Sequence, residues 1–179
     1  MEPYDPSELE GAVLGVIWKL QPCSTYAVRK AFRDSITARW NASAGAIYPL
    51  VERLAERGLL SAECHLHGKR RSKRYRLSPE GLAALQRWVG PPLTPETTAI
   101  PGDPLRARLR FLGSLPEGQQ IELVEEALRA TSQHVRALED LLHRAGDEDD
   151  PFWELALGGA LEVARARTTW LENMLAALG

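Results

Sequence analysis

Two short segments of this sequence have residue types suited to contact phosphates. Five of the six residues from 69 to 74 are cationic, namely Lys69, Arg70, Arg71, Lys73 and Arg74. Before them, residues 43–50 read Ser-Ala-Gly-Ala-Ile-Tyr-Pro-Leu, and residues as small as Gly45 and Ala46 let a backbone come close to a ligand. Clustered cations attract polyanions, and each phosphate that they neutralise releases a counterion. The sequence therefore first suggests a phosphate-rich partner.

Three helices are expected ahead of the cations. Apolar residues at helical spacing predict the first over residues 7–20, and a connector at residues 36–42 separates the second from the third. The residues expected to cap the first turns are Ser7 with Glu10 as capping-box partner, Ser24 or Thr25, and Ser43. Gly58 ends the third helix. Pro49 is awkward inside it because proline removes an interior hydrogen bond.

A β-hairpin is expected to carry the cations. Residues 60–67 alternate apolar and polar, which predicts a strand whose half-buried face holds Leu60, Ala62, Cys64 and Leu66. Gly68 begins the turn and residues 73–77 form the return strand, which places the cations at the hairpin tip. Pro79 then opens a fourth helix. This order of elements predicts a winged helix-turn-helix.

The start of the third helix offers several contacts to a nucleic acid. A helix N-terminus presents free N–H donors and a positive dipole end to a phosphate. The Tyr48 hydroxyl is placed to donate to a phosphate, and Arg53 is the one obvious base reader on this helix. The alternative is that Ser43 merely caps a core helix, that Tyr48 packs at its edge and that the cations are a solvated face. The hairpin favours DNA, since repulsion at its tip is relieved by a polyanion.

Charge and composition agree with an intracellular DNA-binding protein. Residues 1–90 hold 14 Lys and Arg against 9 Asp and Glu, whereas residues 91–179 hold 8 against 15. A basic half joined to an acidic half predicts that the first meets the polyanion. No apolar run is long enough to span a membrane, and the acidic, proline-containing start lacks the features of a secretory signal. We expect a cytoplasmic protein.

The second half is expected to be a helical dimerisation domain. The composition of residues 91–104 is that of a linker, which gives a DNA-binding domain at 1–90 and a helical domain at 105–179. Two long helices there carry apolar rows seven residues apart, which predicts an antiparallel pair packing against a second copy. The expected interface residues are Leu128, Val135, Leu138, Leu142, Leu157, Leu161, Ala164, Leu171, Leu175 and Leu178.

Metal, cofactor and enzyme functions find little support. Cys64, His65 and His67 fall on alternate faces of the expected strand, so they do not converge on a metal. No nucleophile elbow, triad context or phosphate-binding glycine loop is present. The acidic run at residues 147–150 falls in a loop and is expected to be a solvated turn, with binding of a divalent cation as the alternative. We predict neither catalytic residues nor a metal or cofactor.

Residues 9–88 resemble the PadR family of bacterial transcriptional regulators. The matching segments are Ala12-Val-Leu-Gly15, Tyr26, Ser43 to Leu50, Arg57-Gly-Leu-Leu60 and Tyr75-Arg-Leu-Ser-Pro-Glu-Gly81. The helical tail at about 104–178 is similar to that of the longer-tailed members, in which the last helices form the dimer. Two positions depart from the pattern: Ser24-Thr25 stands where His-Gly is common, and Ala46 replaces a serine or threonine.

The resemblance implies which residues bind DNA. Ser43, Gly45, Ala46 and Tyr48 would face the duplex, Tyr26 would join them, and Lys69 to Arg71 would follow the backbone or reach the minor groove. It also implies an apolar cavity for an aromatic or drug-like effector, with Trp88 as the residue best placed to stack on it. The alternative is that the tryptophans pack the dimer core.

The sequence thus predicts a mainly α-helical homodimer that binds double-stranded DNA. Each protomer would place its third helix in one half of an inverted repeat, most simply as a repressor. The rival interpretation is a winged-helix module that binds another protein through the same helices.

Overall fold

The computed structural model describes residues 4–35, 44–67, 70–98, 102–145 and 150–179. The chain divides into two compact units, Met1–Ala99 and Ile100–Gly179. The division falls inside the segment whose composition is that of a linker. The domain limits at residues 90 and 105 stay a prediction.

The first unit consists of helices around an apolar core and a two-stranded wing. Its elements are α1 (Glu8–Leu20), α2 (Thr25–Arg33), a 3-10 turn (Ala44–Ala46), α3 (Ile47–Glu56), β1 (Leu60–His67), β2 (Arg70–Leu77), α4 (Pro79–Val89) and α5 (Pro95–Thr98). The amphipathic helices bury one face each, and the fully enclosed side chains include Val13, Ile17, Val28, Phe32, Ile47 and Leu54. The predicted fold class, mainly helical with a two-stranded wing, is confirmed.

The helix ends follow the capping chemistry of the sequence. The Ser7 hydroxyl accepts from the Glu10 N–H while the Glu10 carboxylate accepts from the Ser7 N–H, so the predicted capping box is present. Ser24, rather than Thr25, caps α2. Gly58 follows α3 with a φ of 76°, a conformation that costs other residues more.

The third helix starts later than the sequence predicts. Ser43 lies outside the described residues, and the small residues after it form a 3-10 turn rather than the first turn of an α-helix. Because α3 begins at Ile47, Pro49 occupies its third position. An N–H there has no partner within the helix, so proline breaks no hydrogen bond.

The wing differs from the prediction in two respects. The pairing of β1 with β2 runs from Leu60 opposite Leu77 to His67 opposite Arg70. The return strand therefore begins at Arg70 instead of residue 73. Four of the predicted tip cations therefore belong to a strand, and Lys69 lies outside the described residues. The expected half-buried face of β1 is also wrong at Ala62 and Cys64, which are exposed; the side chain of Leu66 is not among the described ones. Alternation marks a strand, but burial requires a second layer over it.

The second unit is an antiparallel helix pair preceded by a short helix. Its elements are α6 (Pro104–Leu109), a 3-10 turn (Leu112–Ser114), α7 (Glu117–Ala145) and α8 (Pro151–Leu178). Val124 and Leu171 pack in one apolar cluster, and the Arg165 guanidinium lies 2.9 Å from the Glu139 carboxylate. Residue numbers thus rise along one helix as they fall along the other.

Candidate nucleic-acid interface

The N-terminal end of α3 is open to a ligand. Burial of Ile47, Leu50, Val51 and Leu54 turns Tyr48 outward, with 44 % of the side chain exposed. Gly45 and Ala46 are exposed in the turn before it, and a Cβ added at Gly45 would meet no atom within 4 Å. Ala46, the N-cap residue, makes no side-chain capping hydrogen bond. The helix end therefore has no side-chain cap and places an exposed hydroxyl beside small residues, which leaves room for a phosphate.

Arg53 lies on the other flank of α3. Five residues separate it from Tyr48, which corresponds to about 140° around the helix axis. Its guanidinium lies 4.0 Å from the Glu10 carboxylate at the start of α1. Arg53 is thus held toward α1, and its role as a base reader stays a prediction.

A cationic face on α2 escaped the sequence analysis. Tyr26, one of the predicted contacts, is exposed in the first turn of α2, and Arg29, Lys30 and Arg33 are exposed three, four and seven residues later. Arg33 forms a 2.8 Å ion pair with Asp34. The spacing of residues 26, 29, 30 and 33 places these side chains on one helical face and is visible in the sequence.

The cations of β2 are not equivalent. Lys73 is exposed and, among the described residues, has neither ion pair nor side-chain hydrogen bond. The Arg74 guanidinium instead donates to the Pro22 carbonyl at 3.1 Å. Arg70 and Arg71 lie at the start of β2, opposite His67 and Leu66. Lys73 is therefore the predicted wing contact that the described residues leave most available.

The loop between α1 and α2 holds β2 in place. Backbone hydrogen bonds join Cys23 and Tyr75 in both directions, at 3.1 and 2.7 Å, and the Leu77 N–H donates to the Gln21 side chain at 2.9 Å. Burial raises the pKa of the Cys23 thiol, with Arg74 acting in the opposite direction. Hydrogen bonds thus join the wing base to the loop that leads into α2, the helix that carries the Tyr26 face.

The predicted dimer residues fall into two groups. Leu138, Leu157, Leu161, Ala164 and Leu171 are already buried inside the single chain, because α7 and α8 pack their apolar rows against each other. The half-buried members are Leu128, Val135, Leu142, Leu175 and Leu178. Three further large apolar residues of α8, which were not among the predicted ones, are exposed: Phe152 at 77 %, Leu155 at 72 % and Val163 at 70 %.

Comparison with known proteins assigns this arrangement to a family. Residues 13–87 match the model of the Transcriptional regulator PadR-like family, and residues 103–179 match that described as Virulence activator alpha C-term. Residues 13–87 are therefore a PadR-like family domain. The predicted resemblance is confirmed.

Individual relatives of this PadR-like chain extend over nearly its whole length. The negative transcriptional regulator PadR of Bacillus subtilis is 25 % identical, over 94 % of this chain and 96 % of that protein. A crystal structure of Bacillus subtilis PadR with operator DNA has a TM-score of 0.83 at 24 % identity, over 98 % of this chain and 100 % of that one. A second, with p-coumaric acid, has a TM-score of 0.75 at 23 % identity, over 95 % and 94 %.

Trp88 has a packing role in this PadR-like chain. A Cβ added to Gly11 of α1 would lie 2.2 Å from the Trp88 indole, so the ring rests directly on the glycine backbone. The indole N–H donates to the Glu8 carboxylate at 3.2 Å. Trp88 thereby joins α4 to α1, and its predicted effector role stays untested.

Over the residues that the structure describes, no group of three or more His, Cys, Asp and Glu side chains could hold a metal ion. Within the same residues, no helix is long and apolar enough to cross a membrane. Of the predicted acidic run at residues 147–150, residues 147–149 lie outside them, and Asp150 is the N-cap of α8, where its carboxylate accepts from the Trp153 N–H.

Proposed function

We propose that this chain is a homodimeric repressor that binds an inverted-repeat operator in the cytoplasm and is released by a small aromatic or drug-like molecule. The observation that supports the proposal is the exposed start of α3, which has small residues before it and Tyr48 exposed beside it, in the same unit as the cations of α2 and β2. The positive groups would follow the phosphate backbone while α3 enters the major groove.

Sequence readout through this surface would depend strongly on DNA shape. The outward face of α3 carries Glu52 and Glu56 in its later turns, and carboxylates there repel phosphates. Close approach is therefore limited to the start of the helix, where Gly45 and Ala46 of the preceding 3-10 turn offer backbone rather than long side chains. Contacts to phosphates and to groove shape would then contribute more than bidentate base pairs do.

A second copy would cover the exposed apolar stripe of α8. Phe152, Leu155 and Val163 lie within an arc of about 80° on this helix, and all three side chains are mostly exposed. An exposed apolar stripe of this kind favours association with another chain. The half-buried row residues, such as Val135 and Leu142, would flank that contact, while the buried ones maintain the helix pair.

The repressor and effector parts of the proposal draw on the relatives. The Bacillus subtilis protein of similar length is a negative regulator, and a solved PadR structure contains p-coumaric acid. A repressor of this kind would change its operator affinity only as far as the effector binds one dimer arrangement better than the other.

Fluorescence anisotropy with the DNA upstream of the chain's own gene tests the proposal. We expect specific binding, compared with a shuffled duplex of equal composition, and a steep fall in affinity with salt. Absent or salt-insensitive binding would contradict it and favour the protein-interaction module. Adding aromatic compounds to the preformed complex tests the effector part separately.

A further inference from the structure

Two carboxylates occupy the side of α3 that points away from the core. The inward direction is defined by the buried residues of the helix, which are Ile47, Leu50, Val51 and Leu54. On a regular helix Glu52 lies about 30° and Glu56 about 10° from the opposite direction. Tyr48 and Arg53 lie about 70° to either side of it. Both glutamates are exposed, so the side chains aimed most directly outward from α3 are acidic.

These two carboxylates are not neutralised within the part of the chain that the structure describes. Neither Glu52 nor Glu56 has an ion pair or a hydrogen bond with another described residue. The neighbouring cation Arg53 lies 4.0 Å from the Glu10 carboxylate instead. The oxygen atoms of Glu52 and Glu56 are therefore free to accept hydrogen bonds from a ligand of α3.

A free carboxylate on a surface that meets DNA lowers the affinity for every sequence, because it repels phosphates. The rest of this half of the chain favours phosphates, since residues 1–90 hold 14 Lys and Arg against 9 Asp and Glu. What a carboxylate can add is discrimination between bases. In the major groove it accepts a hydrogen bond from the N4 amine of cytosine, and it is repelled by the O6 and N7 acceptors of guanine.

Position along α3 distinguishes the two glutamates. In helix-turn-helix proteins the first residues of the helix in the groove contact the base edges. Glu52 lies one turn after Tyr48, about 6 Å along the axis and about 40° around it. Glu56 is the last residue of the helix, a further turn away from the end that approaches the DNA. The Glu52 side chain is therefore the one that can reach the floor of the groove when the start of α3 enters it.

We propose that Glu52 is a base-reading residue of α3 and that it selects one cytosine in each half of the operator. Its carboxylate accepts a hydrogen bond from the N4 amine of that cytosine. This single contact adds to the readout of DNA shape and takes the role that the sequence assigned to Arg53. The inference deepens the proposed function and rests on it, since it requires α3 in the major groove.

Binding-site selection from a randomised duplex pool tests the role of Glu52. The full chain should select a cytosine at one position of each half-site, and replacing it should lower the affinity about fivefold or more. Glu52→Gln should move that preference to adenine, because an amide accepts from N6 and donates to N7. Glu52→Ala should remove the preference and raise the affinity for a shuffled duplex. Glu56→Gln is the matched control, which should keep the cytosine and raise the affinity for all duplexes alike.

Fluorescence anisotropy with a base analogue isolates the proposed hydrogen bond. Exchanging the selected cytosine for 2-pyrimidinone removes its exocyclic amine and leaves the rest of the ring in place. The wild-type chain should then lose affinity, whereas Glu52→Ala should bind both duplexes equally. An equal loss in the two proteins would overturn the contact.

The selection also separates failure of this inference from failure of the proposed function. Base preferences shared by the wild type and Glu52→Ala, or a change of preference in Glu56→Gln instead, would remove Glu52 as a reader and leave DNA binding in place. A joint loss of affinity for operator and shuffled duplex in Glu52→Ala, with a lower melting temperature, would make its role structural. A wild-type chain that enriches no sequence and binds no duplex would overturn the proposed function and the inference together.

Discussion

Replacing Lys73 by alanine is expected to weaken DNA binding without weakening the fold. Lys73 is exposed and has no partner among the described residues. One phosphate contact contributes about 0.9 to the slope of log K against log salt, and a homodimer loses two contacts, or about 1.8. Between about 50 and 200 mM salt the fall in affinity should therefore shrink roughly 12-fold. Anisotropy titrations at four or more salt concentrations measure this slope.

Arg74→Ala is the matched control, since it removes the same charge from the next position. The Arg74 guanidinium donates to the Pro22 carbonyl at 3.1 Å, so its loss should cost about 1 kcal/mol of unfolding free energy. Lys73→Ala should leave the melting temperature unchanged. An unaltered salt slope in Lys73→Ala, or equal melting temperatures in the two variants, would refute the division between a binding cation and a structural one.

Three further changes test the two units. Gly11→Ala forces a Cβ to within 2.2 Å of the Trp88 indole, so thermal unfolding should show a loss of about 1–3 kcal/mol in the free energy of unfolding. Adding Trp88→Leu should restore part of it, and no loss in Gly11→Ala would contradict the close packing. At Glu10, burial favours the neutral form, but hydrogen bonds from the Ser7 backbone and hydroxyl outweigh it and lower the pKa. The stabilisation is therefore present above the ordinary value of 4.5 and lost as pH falls through the folded pKa, so the melting-temperature gap to Glu10→Gln should close in acid; a gap independent of pH speaks against it. Val163→Glu should shift sedimentation from dimer to monomer, whereas an unchanged mass would leave the α8 stripe without its proposed partner.

Local signals in the sequence were enough to predict most element boundaries. A serine with a glutamate three residues later defines the start of α1, and Gly58 defines the end of α3, because both act through hydrogen bonds or φ angles of a few adjacent residues. The predicted start of α3 was wrong because small residues followed by Pro49 allow a 3-10 turn as well as an α-helical turn.

Burial and partner choice depended on contacts that spacing does not encode. Alternation along β1 predicted a half-buried strand, but Ala62 and Cys64 are exposed because no described element covers that part of the wing. The heptad rows of α7 and α8 predicted a dimer seam, yet Leu138 and Leu171 pack within one chain. A periodic apolar row has the same spacing in either case.

The sequence predicted the residue types of the candidate site better than it predicted which side chains are free to contact DNA. The cations of residues 69–74 were recognised together, whereas the structure separates Lys73 from Arg74 by a single hydrogen bond to a distant loop. Arg53 was chosen as a base reader for its chemistry, and its position beside Glu10 follows only from the packing of α1 on α3.

Site-specific photocrosslinking tests whether the start of α3 meets the DNA. Tyr48 is replaced by p-benzoylphenylalanine, and the complex with the upstream duplex is irradiated. Leu82 is the control position because it is also exposed but lies away from the start of α3. Its neighbour Gly81 packs on Leu59, which follows the C-terminal end of α3. We predict a covalent protein–DNA product from position 48 and none from position 82. No product from position 48, or equal yields from both, would contradict DNA recognition through this helix end.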